Sequence, residues 1–337
     1  MPGPGIVVQR DWQFSVEKQA AWDTAETGGS PIGLPLEDMP IKLPPGNMTI
    51  PHSSGTRSLS EISMYNDSSG VIATATMPVM PVTPQTLTAL LPGILQKNEA
   101  WEESTDVWTM YPVEVADLPL MRDSDEGYFY TLVRKHPTDA ATAERIINAI
   151  PTAMKLVVHP TDDNGVLVFK PIEWIGQGYT NSVDIDDTIT QQSLVTLYKW
   201  TAIGKFAVDA NDMTNDFFSA EIDISYGGKY QGDTINGDGV FPEFTCGGTF
   251  TVAKNGNTES MKDLCHTDVV SNAIAIQLDF GDSTVSSLGE LNITMYAYLR
   301  DYEAAYEDGE QITFTFEGCL ASADQDAFRV VYWDNIT

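Results

Sequence analysis

The sequence predicts a mainly β fold: two similar strand-rich units in tandem in one chain, each with a short helix. Three observations predict it. Short runs alternate apolar and polar residues along most of the chain, as in Ile72-Ala-Thr-Ala-Thr-Met77 and Gln311-Ile-Thr-Phe-Thr-Phe316, which is the period of a half-buried strand. Asn164-Gly165 stands between two such runs, a strong hairpin signal because both residues tolerate positive φ. The order of elements in the first half then recurs in the second.

Residues 1–57 read as an extended N-terminal arm. Pro31, Pro35, Pro40, Pro44, Pro45 and Pro51 recur too often for a helix, and Gly28-Gly29 and Gly46 break what lies between. Such a segment has little core of its own and is either a flexible arm or a strap laid across a neighbour. The first β unit spans 58–180. Its strands are Glu61-Ile-Ser-Met-Tyr65, Ile72–Met77 and Val79–Val82. A helix follows, with Thr83 as cap, Pro84 at the first helical position, and Leu87, Leu90, Leu91 and Ile94 as its apolar face. Residues 97–126, rich in acids, Trp and Pro, read as a long loop or projecting hairpin. Tyr128–Arg134 returns to strand, the alanine-rich Thr138–Asn148 reads as a short helix, and Ala153–His159 and Val166–Ile175 form the closing hairpin.

The second unit spans 181–337 and repeats this order. Glu221–Tyr226 echoes Glu61–Tyr65, and Glu243–Val252 echoes Ile72–Val82. A helical segment, Thr258–Cys265, takes the place of the first helix. Asn272–Phe280, Leu291–Arg300 and Gln311–Gly318 follow as strands, and Phe328–Trp333 closes the chain. In the closing hairpins Gly165 precedes Glu173 by the same distance as Gly309 precedes Glu317, so Ile172 matches Phe316 and Val168 matches Ile312. Along Asn292–Tyr298, Ile293, Met295 and Ala297 fall on one face and Asn292, Thr294, Tyr296 and Tyr298 on the other, as a wall between core and water requires.

Composition narrows the function. With 337 residues, 42% of them hydrophobic and 10% aromatic, the chain can bury a large core, and its length accommodates about two domains. No stretch approaches the roughly 20 apolar residues of a membrane span, and Met1-Pro-Gly-Pro-Gly5 lacks the basic and apolar regions of a signal peptide; the expected site of synthesis is the cytoplasm. Asp and Glu total 48 against 18 Lys and Arg, a net charge of −30. That excess repels phosphate and anionic membranes. It fits adaptation to high salt, a solubility device, or a lumen that lets DNA pass without sticking.

No catalytic constellation emerges. His52, His136, His159 and His266 stand at no metal-ligand spacing except the adjacent Cys265–His266, where neighbouring side chains rarely share an ion. Cys246, Cys265 and Cys319 are odd in number and read as buried free thiols. No P-loop, G-x-S-x-G or H-E-x-x-H motif occurs. Gly227-Gly228 and Gly247-Gly248 read as bulges or close backbone approaches. The acidic clusters Asp123–Glu126, Asp162–Asn164, Asp184–Asp187 and Asp233–Asp238 fit no twelve-residue calcium loop and read as solvated turns. Trp101, Trp108, Trp174 and Trp200 read as core or interface. The expectation is no enzyme, no catalytic, cofactor-binding or metal residue, and no cofactor.

The order of elements resembles that of the tail tube proteins of long-tailed, siphovirus-like viruses, in their two-domain form. Phe14-Ser-Val-Glu-Lys-Gln-Ala-Ala-Trp-Asp-Thr-Ala25 is similar to the family's early strand and its T-x-W/Y-G-T-A-like stretch, with Asp23 where glycine is usual. Ile172-Glu-Trp-Ile-Gly176 and Phe316-Glu-Gly318 resemble the family's closing F-I-G. The likeness covers about residues 10–335 and rests on order more than on any one string. It implies two tandem tail-tube-type domains, each a β-sandwich or half-barrel with a short flanking helix, in a structural virion protein whose copies join inner sheets around a lumen and stack as rings, with three two-domain chains per pseudo-sixfold ring. It implies as partners other copies of the chain, the tape measure protein, and tail terminator and tip proteins. Viral DNA would pass without specific binding, and no membrane is involved. The location implied is the virion tail. The 97–126 segment and the N-terminal arm are the expected contacts to an adjacent ring. Competing readings are a baseplate or tail-tip protein with the same fold, an extracellular carbohydrate- or calcium-binding β-sandwich, and an enzyme with dispersed carboxylates.

Overall fold

The computed structural model describes residues 12–19, 32–35, 38–42, 49–53, 59–63, 72–95, 101–102, 107–112, 129–136, 139–183, 189–191, 196–209, 211–225, 229–231, 238–240, 244–265, 273–282, 284–287, 289–305, 310–318 and 327–333. The chain is mainly β. The first half supplies β1 (Gln13–Lys18), β2 (Ile41–Lys42), β3 (Ile72–Met77), β4 (Met80–Pro81), α1 (Pro84–Leu95), β5 (Val107–Met110), β6 (Tyr130–His136), β7 (Asp139–Val158), β8 (Val168–Phe169), β9 (Ile172–Gln177) and β10 (Tyr179–Val183). The second supplies β11 (Ile203–Val208), β12 (Phe217–Ser225), β13 (Thr245–Ala253), α2 (Gly256–Cys265), β14 (Ile274–Phe280), β15 (Leu291–Ala305), β16 (Gln311–Gly318) and β17 (Phe328–Trp333).

The two halves pair these strands in the same antiparallel order. In the first, β1 pairs with β6, β6 with β7, and β7 with β8, β9 and β10 in succession. There β8 and β9 pair in turn with β4 and β3, and β3 pairs with β2. In the second, β11 pairs with β14, β14 with β15, β15 with β16 and β17, β16 with β13, and β13 with β12. The helix sits after the same strand in each half, α1 after β4 and α2 after β13.

The register repeats as well as the order. Ile172 lies opposite Met77 and Val168 opposite Pro81; Phe316 lies opposite Gly248 and Ile312 opposite Val252. The two rungs have the same spacing on all of these strands, so β3 and β4 together equal β13, and β8 and β9 together equal β16. Pro171 and Pro78 lie at the breaks in the first unit, where a residue without an N–H cannot continue a ladder. On the other flank Phe14 and Val16 lie opposite Arg134 and Leu132, while Phe206 and Val208 lie opposite Leu278 and Ile276. Phe14-Ser-Val-Glu17 and Phe206-Ala-Val-Asp209 are therefore equivalent segments, and all four of the named Phe and Val side chains are buried.

Both helices are capped in the same way. Thr86 N donates to Thr83 Oγ1 at 3.1 Å and Thr83 N to Thr86 Oγ1 at 2.8 Å. Thr258 N donates to Asn255 Oδ1 at 3.1 Å and Asn255 N to Thr258 Oγ1 at 2.9 Å. Each pair satisfies backbone donors that the first helical turn leaves open. Thr86 and Thr258 are fully buried, so both caps anchor their helix to the core.

One hydrophobic cluster runs through both units. In the second it is aromatic: Phe250 packs 5.4 Å from both Phe206 and Phe314 between ring centroids, and Phe206 lies 4.5 Å from Phe217. In the first, Trp174 is buried edge-on to Tyr130 at 5.4 Å. The alternation expected along Asn292–Tyr298 is present, with Ile293, Met295 and Ala297 buried and Asn292, Thr294, Tyr296 and Tyr298 half-buried between them.

Two sequence expectations are corrected. The helix expected over Thr138–Asn148 is not found from Asp139 onward; Asp139–Val158 is a single 20-residue strand. The alanines favour a helix locally, but β6 and β10 pair with opposite edges of this stretch, and that non-local pairing outweighs propensity. The second concerns Glu61–Tyr65. Leu59–Ser63 pairs with Thr49–Ser53 in a separate two-stranded ladder, so it is not the counterpart of Glu221–Tyr226. That place belongs to β2, which flanks β3 as β12 flanks β13. Within residues 1–57, β1 and β2 are thus strands of the first unit. Within 97–126, β5 pairs with β17 of the same chain.

Candidate functional site

Among the described residues no group of three or more His, Cys, Asp or Glu side chains is placed to hold a metal ion. The histidines are dispersed. His136 meets Trp12 edge-on at 5.7 Å, and His159 Nδ1 lies 3.5 Å from Asp162. His52 lies in the strand Thr49–Ser53 with its side chain outside the description, and His266 lies outside the described residues. Burial pushes the Cys246 thiol up to about 12, with the charge of Asp223 adding to the effect, so it is a poor nucleophile. Cys265 is half-buried and also raised, chiefly by burial. Cys319 falls outside the described residues, as do Asp123–Glu126, Asp184–Asp187, 233–237 and Gly227-Gly228. Asp163 of the remaining acidic turn pairs with Lys170 at 2.9 Å. Gly247 and Gly248 lie within β13, and Gly248, at φ +150°, carries its backbone against the Glu221 carbonyl. That is a close strand approach.

Trp108, Trp174 and Trp200 make contacts between elements. Trp108 of β5 is buried and stacks on Tyr332 of β17, centroids 6.0 Å apart. Trp200 donates from Nε1 to the Phe218 carbonyl at 2.7 Å. Trp174 is core. Trp101 lies opposite Trp108 in a short ladder.

The most organised polar feature is the junction where one unit meets the other. β7 runs beside β12, with Met154 opposite Ile224, Leu156 opposite Ile222 and Val158 opposite Ala220. The inward residues of both strands are buried. On the outward face Lys155 Nζ reaches Glu221 at 3.1 Å and Asp223 at 3.3 Å. Burial pulls the Lys155 ammonium down, but these two carboxylates outweigh it and hold its pKa above the ordinary value. Ser225 Oγ donates to the Thr152 carbonyl at 2.8 Å. A second ladder, β5 with β17, joins the same two units, and the Thr88 and Tyr332 hydroxyls meet at 2.8 Å. A shallow cleft opens over this seam, lined by Met154, Lys155, Pro171, Asp223 and Gly248 among others.

The far end of β15, Asp301–Ala305, holds the position in the second unit that Met154–Val158 holds in the first. Its ladder partner is β16. Among the described residues no strand occupies its other edge, where β12 would stand by analogy. Likewise β2 pairs with β3 on one edge, and the place that β7 takes beside β12 has no occupant among the described residues. Sequence reasoning missed the junction, because Lys155, Glu221 and Asp223 come together only through pairing across the two halves. The alternation of both strands was the one visible signal.

No family model matches the chain, and no curated protein is significantly similar to it. No helix among the described residues is long and apolar enough to cross a membrane.

Proposed function

We propose that the chain is a structural subunit that self-assembles, edge to edge, into stacked rings forming the hollow tail tube of a long-tailed virus. Three chains, six β units, close each ring. The observation that carries this reading is that two units of one topology join inside the chain through unlike edges, β7 of one against β12 of the next. A contact between unlike edges is head-to-tail, and when repeated by rotation it closes a ring or builds a filament. Edge strands left without a ladder partner are templates for such growth.

The charge fits this use. At −30, a channel lined by such a chain repels phosphate and lowers friction for passing DNA. The remaining partners follow from the assembly: a tape measure protein inside the growing tube, and terminator and tip proteins at its ends. Catalysis has no part in this reading, and neither does a cofactor or a membrane.

Electron microscopy of the purified protein tests it. Tubes or rings about 100 Å wide, the scale of six two-layer units around a channel, are the expected result. A protein that stays monomeric at high concentration and under seeding contradicts it.

A further inference from the structure

We infer that the open end of β15 in one chain receives β2 of a second copy, and that Lys42 bridges Asp301 and Glu303 across the new ladder as Lys155 bridges Glu221 and Asp223 across the inner one. This inference rests on the assembly reading and names the surfaces that carry it.

The inner junction supplies the template. There β7 of the first unit accepts β12 of the second, and one lysine spans two carboxylates spaced two apart on the facing strand. The equivalent of the accepting stretch is Asp301–Ala305, placed by the shared rungs: Leu156 opposite Phe169 and Val157 opposite Val168 in the first unit, Glu303 opposite Thr313 and Ala304 opposite Ile312 in the second. The equivalent of the inserting strand is β2, since Ile41 lies opposite Ala75 as Ile224 lies opposite Cys246.

Burial separates the filled position from the open one. Met154 and Leu156, under β12, are 2% and 1% exposed, whereas Tyr302 and Ala304 are only partly buried. Side chains alternate one step out of phase between the two stretches, so the register that keeps apolar residues inward sets Tyr302 opposite Ile41 and Ala304 opposite Met39. That register sets exposed Asp301 opposite exposed Lys42, with exposed Glu303 on the diagonal, both within reach of a long side chain across an antiparallel pair. The sign is exchanged relative to the inner junction: the acids now lie on the accepting strand and the lysine on the inserting one. Lys42 and Glu303 make no ion pair among the described residues.

The edge chemistry also agrees. In an antiparallel ladder a residue's N–H and C=O point to the same neighbour. The Pro40 carbonyl accepts from Thr76 N at 3.0 Å, so the donor that Pro40 lacks is on the β3 side and the outer edge keeps its own. Met39 N donates to Asp38 and Tyr302 N to Asp301, each at 2.8 Å. On both edges a backbone donor is thus held by the preceding aspartate. The two edges differ, so the contact is head-to-tail and, repeated by rotation, closes a ring or builds a filament.

Charge exchange tests the inference on the full chain. Sedimentation velocity and electron microscopy would follow wild type, Lys42→Glu, the pair Asp301→Lys and Glu303→Lys, and the triple variant combining all three. The side chains are exposed, so an unchanged melting temperature for the unassembled chain confirms that each variant folds. Expected are association weaker by about tenfold or more for Lys42→Glu and for the double variant, recovery in the triple variant, and failure of the triple variant to co-assemble with wild type. If wild type assembles and both charge reversals assemble as well as it does, these edges are wrong while the tube reading stands. If wild type never assembles, the inference and the tube reading fall together.

Discussion

The two units follow one plan, yet they fill it differently. At one rung the first unit carries Met77 and the second Gly248. In the first, β2 is short and leaves room for a side chain; in the second, the nine-residue β12 runs the length of β13 and its Glu221 carbonyl occupies the space a Cβ would need. At another rung the first unit has Lys135 opposite Gln13, and the second has Asp279 opposite Lys205. The backbone plan is thus held by pairing and register, while the residues record what each unit borders. The second unit lays the long strand β12 beside β7 of the first, and the first has only the short β2 in the place equivalent to β12.

The largest expected effect tests the equivalence of Phe14 and Phe206. Truncating either to alanine removes a buried ring and is expected to cost about 3–5 kcal/mol, measured by denaturant unfolding. Similar losses sustain the equivalence; a loss confined to Phe206 breaks it and leaves β1 as a loosely attached arm. Next in size is Gly248→Ala, expected to cost about 2–3 kcal/mol because the added Cβ meets backbone at an unfavourable φ. Met77→Ala tests the same rung where there is room, and its loss should scale with cavity size alone.

Asp279 gives an effect of opposite sign. Burial pushes its carboxyl up to about 6, against the pull of Lys205 and the hydrogen bond from Gln277. The folded value lies above the unfolded one, so this group's contribution is most favourable below pH 4 and is lost as pH rises through 6. Asp279→Asn is therefore expected to stabilise the fold at pH 7.5, on the order of 1–3 kcal/mol, with the gain fading towards pH 4. Thermal melts across that range check it, and a destabilised variant at pH 7.5 contradicts it. The smallest effect lies in the caps. Thr83→Ala and Asn255→Ala are each expected to cost about 1 kcal/mol, and a large difference between them would show that the two helices are anchored unequally.

Legibility followed the range of the interactions. The helix at Pro84–Leu95 was plain because Thr83, Pro84 and the spacing of Leu87, Leu90, Leu91 and Ile94 are local. The first closing hairpin was plain because Asn164-Gly165 dictates its own turn; Asp163, Asn164 and Gly165 all have positive φ. The stretch from Thr138 to Asn148 misled because its alanines speak for a helix and its partners, β6 and β10, are set by pairing that no local window contains. Phe14-Ser-Val-Glu17 and Phe206-Ala-Val-Asp209 went unmatched because four residues carry little signal until both lie beside equivalent strands. The junction was invisible for the same reason: Lys155 and Asp223 are alternating surface residues until β7 and β12 are side by side.

The central claim is that one junction is used twice, once inside the chain and once between chains. Electron cryomicroscopy of the assembled protein tests it most directly. The account predicts six near-equivalent β units around each ring, with the strand seam between chains superposing on the seam between β7 and β12 within a chain. Rings in which chains meet through any other surface, with β2 and the end of β15 facing solvent, would contradict it.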